Sequence, residues 1–184
     1  MLWLSIPSMV QVGTLFAQEI INQYIVGRTG DYSYLDALAM SNFLIYLGVY
    51  GTAIVFNCTL ETLVPHALAT NKYEVAGHLL NRALFVWLFF FGLLFAGIFW
   101  IDEILINGLE WNEEEAQAVQ EYMVFASPAL FLWGVMDAHR RFINGFQKFW
   151  TPCITMGITV ATHPFICKYF LVDEGMGLQG LAIA

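Results

Sequence analysis

A carboxylate, Glu19, stands in the middle of an apolar stretch that runs roughly from Leu2 to Gly27. Placing a carboxylate mid-span costs about 2.5–3.5 kcal/mol even on permissive scales, so such residues face a cavity or a partner. Two roles are open to it: exchange of a proton or another cation, or anchoring one helix to another through hydrogen bonds. Its polar neighbours are not scattered. Gln11, Gln18 and Asn22 recur at spacings of seven and four, with Glu19 and Gln23 beside them, which is one face of a helix. A second stripe, Asn42, Tyr46, Tyr50, Asn57 and Glu61, steps by four, four, seven and four. Its tyrosine rings can stack on an organic cation, and its amides and phenols can equally bond across a helix–helix interface. Glu61 at the end of this stripe reads as a loop anchor or a gate. A third stripe, Thr151, Thr155, Thr159, Thr162 and His163, fits close packing with hydroxyls bonded back to their own helix, or a wet wall. His163 is a titratable group or a structural donor.

Other motifs lack the context their chemistry needs. Gly175, Gly177 and Gly180 spell G-x-G-x-x-G, but no strand–turn–helix unit surrounds them, so a turn between helices is the better reading than a dinucleotide site. The sequon Asn57-Cys58-Thr59 lies inside an apolar span, out of reach of glycosylation. The cysteines Cys58, Cys153 and Cys167 sit in apolar stretches with no CxxC and read as packing residues, so no metal site is expected. Nucleophile elbow, HExxH and P-loop signatures are absent from the sequence, and with them the grounds for expecting an enzyme.

The elements that must position these stripes are set by apolar length. Ala83 to Ile101 reads ALFVWLFFFGLLFAGIFWI, without a charge or a proline. As a helix it covers about 28 Å, close to the hydrocarbon thickness of a bilayer. The expected fold is an all-α integral membrane bundle, one domain over 1–184. Its spans fall near 2–27, 37–63, 83–101, 116–137 and 149–172, and a sixth starts near 178. Pro65 disfavours helix at Val64 and is expected to end the second span; His66 to Arg82 then forms a loop or short surface helix. Met1 leads straight into apolar sequence without a basic n-region, so no cleaved signal peptide is expected, and the chain has the look of a fragment.

Charge supports the same picture. The chain is 59% hydrophobic and 12% charged, against about 25% charge in a soluble domain. Its net charge of −8 argues against a nucleic-acid partner. Lys72, Arg82, Arg140, Arg141 and Lys148 fall on one side of the spans, Arg28 and Lys168 on or near the other with the acids between Asp102 and Glu115. The basic side, which includes the N-terminus and the Lys72 and Arg140 loops, is expected to be cytosolic. Which membrane, plasma or vacuolar-type, is left open.

Several stretches resemble one family. Leu60 to Tyr73, LETLVPHALATNKY, resembles the loop after the second helix of multidrug and toxic compound extrusion (MATE) transporters. Arg140-Arg141-Phe142, with Gln147 and Pro152 following, resembles that family's basic loop and the start of its fifth helix. Gly175 to Ala184 resembles the turn into its sixth helix, and Ser5-Ile6-Pro7 and Gly27 to Gly30 fit the ends of its first. Order and spacing agree across the whole chain, and the likeness is to the N-terminal lobe of the eukaryotic type.

The resemblance implies two six-helix lobes related by a pseudo-two-fold axis, with alternating access. It implies an antiporter that exports organic cations and other amphipathic compounds against protons or sodium, with no cofactor beyond that ion. Glu19, Asn22 and Gln23 from the first helix, and Asn42, Tyr46 and Tyr50 from the second, would face the central cavity. Glu61, Thr62, Arg140, Arg141, Gly175, Gly177 and Gly180 would be structural. The expected partners are the lipid bilayer, a small organic cation and a second lobe. Asn22 stands where many bacterial members carry an Asp, and Pro65-His66 and Ala69 replace the family's Gly-Gln and Gly. The coupling acid is therefore expected elsewhere, or at Glu19. The alternative is a truncated half that assembles with or regulates a transporter without carrying flux.

Overall fold

The computed structural model describes residues 2–28, 32–173 and 177–183. Among them every regular element is a helix: α1 (Leu2–Gly27), α2 (Tyr32–Leu44), a π-helical turn (Ile45–Tyr50), α3 (Gly51–Ala69), α4 (Tyr73–Ile98), α5 (Ile101–Leu109), α6 (Glu113–Gly145), α7 (Trp150–Lys168), a second π-helical turn (Tyr169–Asp173) and α8 (Gly177–Ile183). Two stretches, Leu35–Ala69 and Tyr73–Ile98, are long and apolar enough to cross a membrane by length and composition. Phe85, Leu88, Phe89 and Leu93 of α4 project outward, exposed, as side chains in contact with lipid would.

Helix α6 is the hub, with α2, α3, α4, α5 and α8 all packed against it, and α7 carries α1 on its other side. Two glycines let helices approach it closely. A Cβ on Gly134 would lie 2.1 Å from the Trp87 ring, and one on Gly145 would lie 2.7 Å from Val64. Trp87 is fully buried on α4, and its indole N–H donates to the Phe131 carbonyl of α6 at 3.0 Å. Small residues at such crossings maximise dispersion contact where lipid offers no hydrophobic drive.

Several expected boundaries are corrected. The second span does not end at Pro65; α3 runs through it to Ala69. Proline forfeits one donor to the carbonyl four residues back, but Leu60, Val64 and Ala67 pack in one buried cluster with Ala76 and Ala138, which holds the last turns helical. The stop comes from Asn71, at φ 55°. Lys72 N donates to Ala67 O at 2.9 Å and Asn71 N to Leu68 O at 3.0 Å, the paired bonds of a Schellman cap. The third helix therefore starts at Tyr73, ten residues before the apolar run, and ends at Ile98 rather than Ile101. Arg140 and Arg141 are not in a loop: α6 extends past Asp137 to Gly145. It is closed by Gln147 at φ 61°, whose N–H donates to Asn144 O at 2.8 Å. The start of α6 carries Glu113, Glu114 and Glu115, which suits the positive end of its dipole.

Candidate functional site

Helices α1, α2, α6, α7 and α8, with the first π-helical turn, surround a cavity of about 250 Å³. Glu19 and Asn22 reach it from α1, Asn42 from α2, and Tyr46 and Tyr50 from the π turn. The turn sets the tyrosines: Gly51 N–H bonds back five residues to Tyr46 O, widening the helix by one residue where it borders the cavity. Tyr46 donates its hydroxyl to Glu19 Oε2 and stands edge-on to Tyr50, with centroids 5.0 Å apart. Tyr50 stacks on Trp133 of α6 at 4.0 Å and 26°. The result is one carboxylate against an aromatic wall, a surface that attracts cations by charge and by ring quadrupole.

Helix α7 adds Thr159, Thr162 and His163 to the lining. The threonines line the cavity with their hydroxyls bonded back to their own helix: Thr162 Oγ1 donates to Ile158 O at 3.1 Å and Thr159 Oγ1 to Thr155 O at 3.0 Å. His163 Nε2 lies 2.7 Å from Asn22 Oδ1. Cys167, one turn further on, packs beside the same pair. Gln23 does not join the others; it is exposed on α1 and outside the cavity lining. Its position one residue after Asn22, a step of 100° around α1, turns it off the face.

The far end of the second stripe serves another purpose. Asn57 and Glu61 turn toward α6, where Asp137 is 1% exposed. Asp137 Oδ2 accepts from Arg141 Nε at 2.8 Å and from Asn57 Nδ2 at 3.0 Å, while Oδ1 pairs with Arg140. Arg141 Nη1 reaches Glu61 Oε1 at 2.7 Å. Burial acts to lower the pKa of the Arg141 guanidinium, but Asp137 and Glu61 beside it raise it above its ordinary value, so it stays charged. Arg141 and Asp137 are thus a buried clamp between α3 and α6, with Arg140 pairing to Asp137 along α6 itself. Thr62 is exposed beside it, Gly177 opens α8, Gly180 is buried on α8, and Gly175 lies outside the described residues.

Sequence reasoning passed over Asp137, although its spacing of three and four from Arg140 and Arg141 is an ion-pair signal on a helix. It also left out Trp133 and Tyr122, which line the cavity from a helix with no polar stripe of its own. Gln11, assigned only to a polar face, proves a tie: it is 1% exposed, donates to Phe149 O at 2.8 Å and accepts from Asn144 Nδ2 at 3.2 Å. Among the described residues, no group of three or more His, Cys, Asp or Glu could hold a metal ion.

The structure is thus a helical lobe packed on one hub helix, with exposed apolar residues along α4 and a polar, aromatic cavity bordered by α1, α2, α6, α7 and α8. The chain belongs to the MatE family, whose profile matches residues 7–169; members are transporters, not enzymes. It is 27% identical to Protein DETOXIFICATION 16 of Arabidopsis thaliana over 187 residues, covering 100% of this chain and 37% of that protein. To Protein DETOXIFICATION 17 of the same plant it is 28% identical over 188 residues, covering 100% of this chain and 38% of the relative. The fold matches the crystal structure of the eukaryotic MATE transporter AtDTX14 with a TM-score of 0.88 at 20% identity, over 95% of this chain and 39% of that one. The chain thus spans under two-fifths of the length of these relatives.

Proposed function

We propose that this chain forms one helical lobe of a cation-coupled antiporter that exports organic cations or other amphipathic compounds in exchange for protons or sodium. The cavity is its half of the solute path. The observation that carries this reading is Glu19, set against Tyr46, Tyr50 and Trp133: a lone carboxylate in an aromatic wall recognises a delocalised cation by charge and by ring face together. A second lobe completes the path. The bilayer is the setting, and the asymmetry of Lys and Arg supports placing the N-terminus, the Lys72 turn and the Arg140–Arg141 end of α6 on the cytosolic side.

The test is reconstitution of the protein, isolated from its native membrane through an antibody to this chain, into proteoliposomes. A fluorescent aromatic cation is expected to move against an imposed proton or sodium gradient. Neither flux nor dye binding would overturn the reading. Dye binding without flux would favour the alternative, a half that assembles with or regulates a transporter without carrying flux.

A further inference from the structure

One phenol in the cavity has nothing to bond to. Tyr122, on α6, is 7% exposed and lines the cavity together with Glu19, Tyr46, Tyr50 and Trp133. Buried phenols ordinarily find a hydrogen-bond partner, yet among the described residues none bonds to the Tyr122 hydroxyl. Nor is that oxygen sealed in by packing. Among the described residues, the side-chain atoms both sealed and unpartnered are Asn42 Nδ2, Asn57 Oδ1 and Asn144 Oδ1. The little surface that Tyr122 keeps therefore includes its hydroxyl, on the cavity.

Helix α6 sets its place. Tyr122, Ala126, Ala129, Leu130 and Trp133 step by four, three, one and three, which is one face of the helix, and all five line the cavity. The two aromatics are separated by about 16 Å of helix. Ala126 and Ala129 between them end at Cβ and leave the wall recessed. At one end Trp133 stacks on Tyr50, beside Tyr46 and Glu19, where a cation is held. The Tyr122 phenol stays within electrostatic reach of Glu19 and Tyr50. Nearby hydroxyls are already committed: Tyr46 donates to Glu19, and Thr159 and Thr162 donate to carbonyls of α7. A solute that fills the cavity excludes water from it. Such a solute strands the Tyr122 hydroxyl unless it brings an acceptor of its own.

We propose that Tyr122 is a specificity-determining residue of this cavity, donating its hydroxyl hydrogen to an oxygen of the solute. The preferred solutes are then aromatic cations that also carry a neutral acceptor oxygen, an ether or a carbonyl. This rests on the reading of the cavity as a cation-binding path.

The experiment is a fluorescence titration of the full chain in lipid nanodiscs with N-alkylquinolinium dyes of one length. One dye has an all-carbon chain, and the others carry an ether oxygen in place of one methylene, moved along the chain. An ether oxygen accepts and cannot donate, so the series reads the phenol as a donor. Transfer out of water favours the methylene, so tighter binding of an ether reports a hydrogen bond. At the best position the ether dye should bind about tenfold more tightly than the all-carbon dye. Tyr122→Phe, which removes the hydroxyl and keeps the ring, should reduce that preference to about twofold or less. Unchanged binding of the all-carbon dye by this variant shows that its cavity is intact. The wild-type series decides by itself: binding of the dyes with no ether preferred at any position overturns this proposal and leaves cation binding standing. A preference that Tyr122→Phe leaves in place does the same. Binding of none of the dyes overturns the cation-binding reading and this proposal with it.

Discussion

Asp137→Ala tests whether the clamp between α3 and α6 holds the lobe together. In the folded chain the carboxylate is 1% exposed and bonded to Arg141 at 2.8 Å and Asn57 at 3.0 Å, with Arg140 on its other oxygen. Removing it strands the Arg141 guanidinium, whose side chain is 8% exposed, with Glu61 as its remaining ionic partner. Breaking a buried pair from one side costs about 3–5 kcal/mol, since the surviving charge loses its partner and gains no water. Asn57 keeps a long bond to Gly134 O at 3.4 Å, which offsets little. At about 2–4 °C per kcal/mol for a chain of this size, the lower figure gives a fall in Tm of about 6–12 °C. Thermal unfolding in detergent, followed by tryptophan fluorescence, would show it. Arg141→Ala should cost a similar amount, and the double variant clearly less than the sum, because the two changes remove one shared interaction. Glu61→Ala should cost under about 1 kcal/mol, as its side chain is 54% exposed and the pair is screened. Single variants at Asp137 and Arg141 that each cost less than about 1 kcal/mol, or that add, would refute the clamp.

Gly134→Ala should destabilise by about 1–3 kcal/mol in the same assay, because the new methyl falls 2.1 Å from the Trp87 ring, which is locked by its bond to Phe131 O. Glu19→Gln, which keeps the shape and removes the charge, should weaken binding of a permanently charged aromatic dye about tenfold, measured by fluorescence titration at low and high salt; unchanged affinity would make Glu19 an anchor for Tyr46 alone. Tyr46→Ala and Tyr50→Ala should each weaken the same dye about three- to tenfold, with the larger loss at Tyr50, which also holds Trp133 in place at 4.0 Å. Equal binding by both variants would assign the tyrosines to packing.

The sequence by itself determined the class of fold, the family resemblance and which polar residues share a helix face. Uniform apolar length marks helices in a bilayer because backbone polarity must be satisfied within the segment. Period-four polar residues mark a shared face because helical geometry leaves no other arrangement. Glu19 and Asn22 therefore share a face of α1, and the tertiary structure sets that face, with Asn42, Tyr46 and Tyr50, around one cavity. Two limits were physical. Local rules placed a helix end at Pro65, whereas a buried cluster carried α3 on to a cap at Asn71. Strict helical phase also kept Asn57 and Glu61 with the tyrosines, whereas a π-helical turn intervenes and the two turn to Asp137 and Arg141. Which helix lies beside which is a long-range matter, and no spacing within one segment encodes it. The tertiary structure alone brought Trp133 onto Tyr50, Trp87 onto Gly134, and Asn22 within 2.7 Å of a histidine 141 residues away.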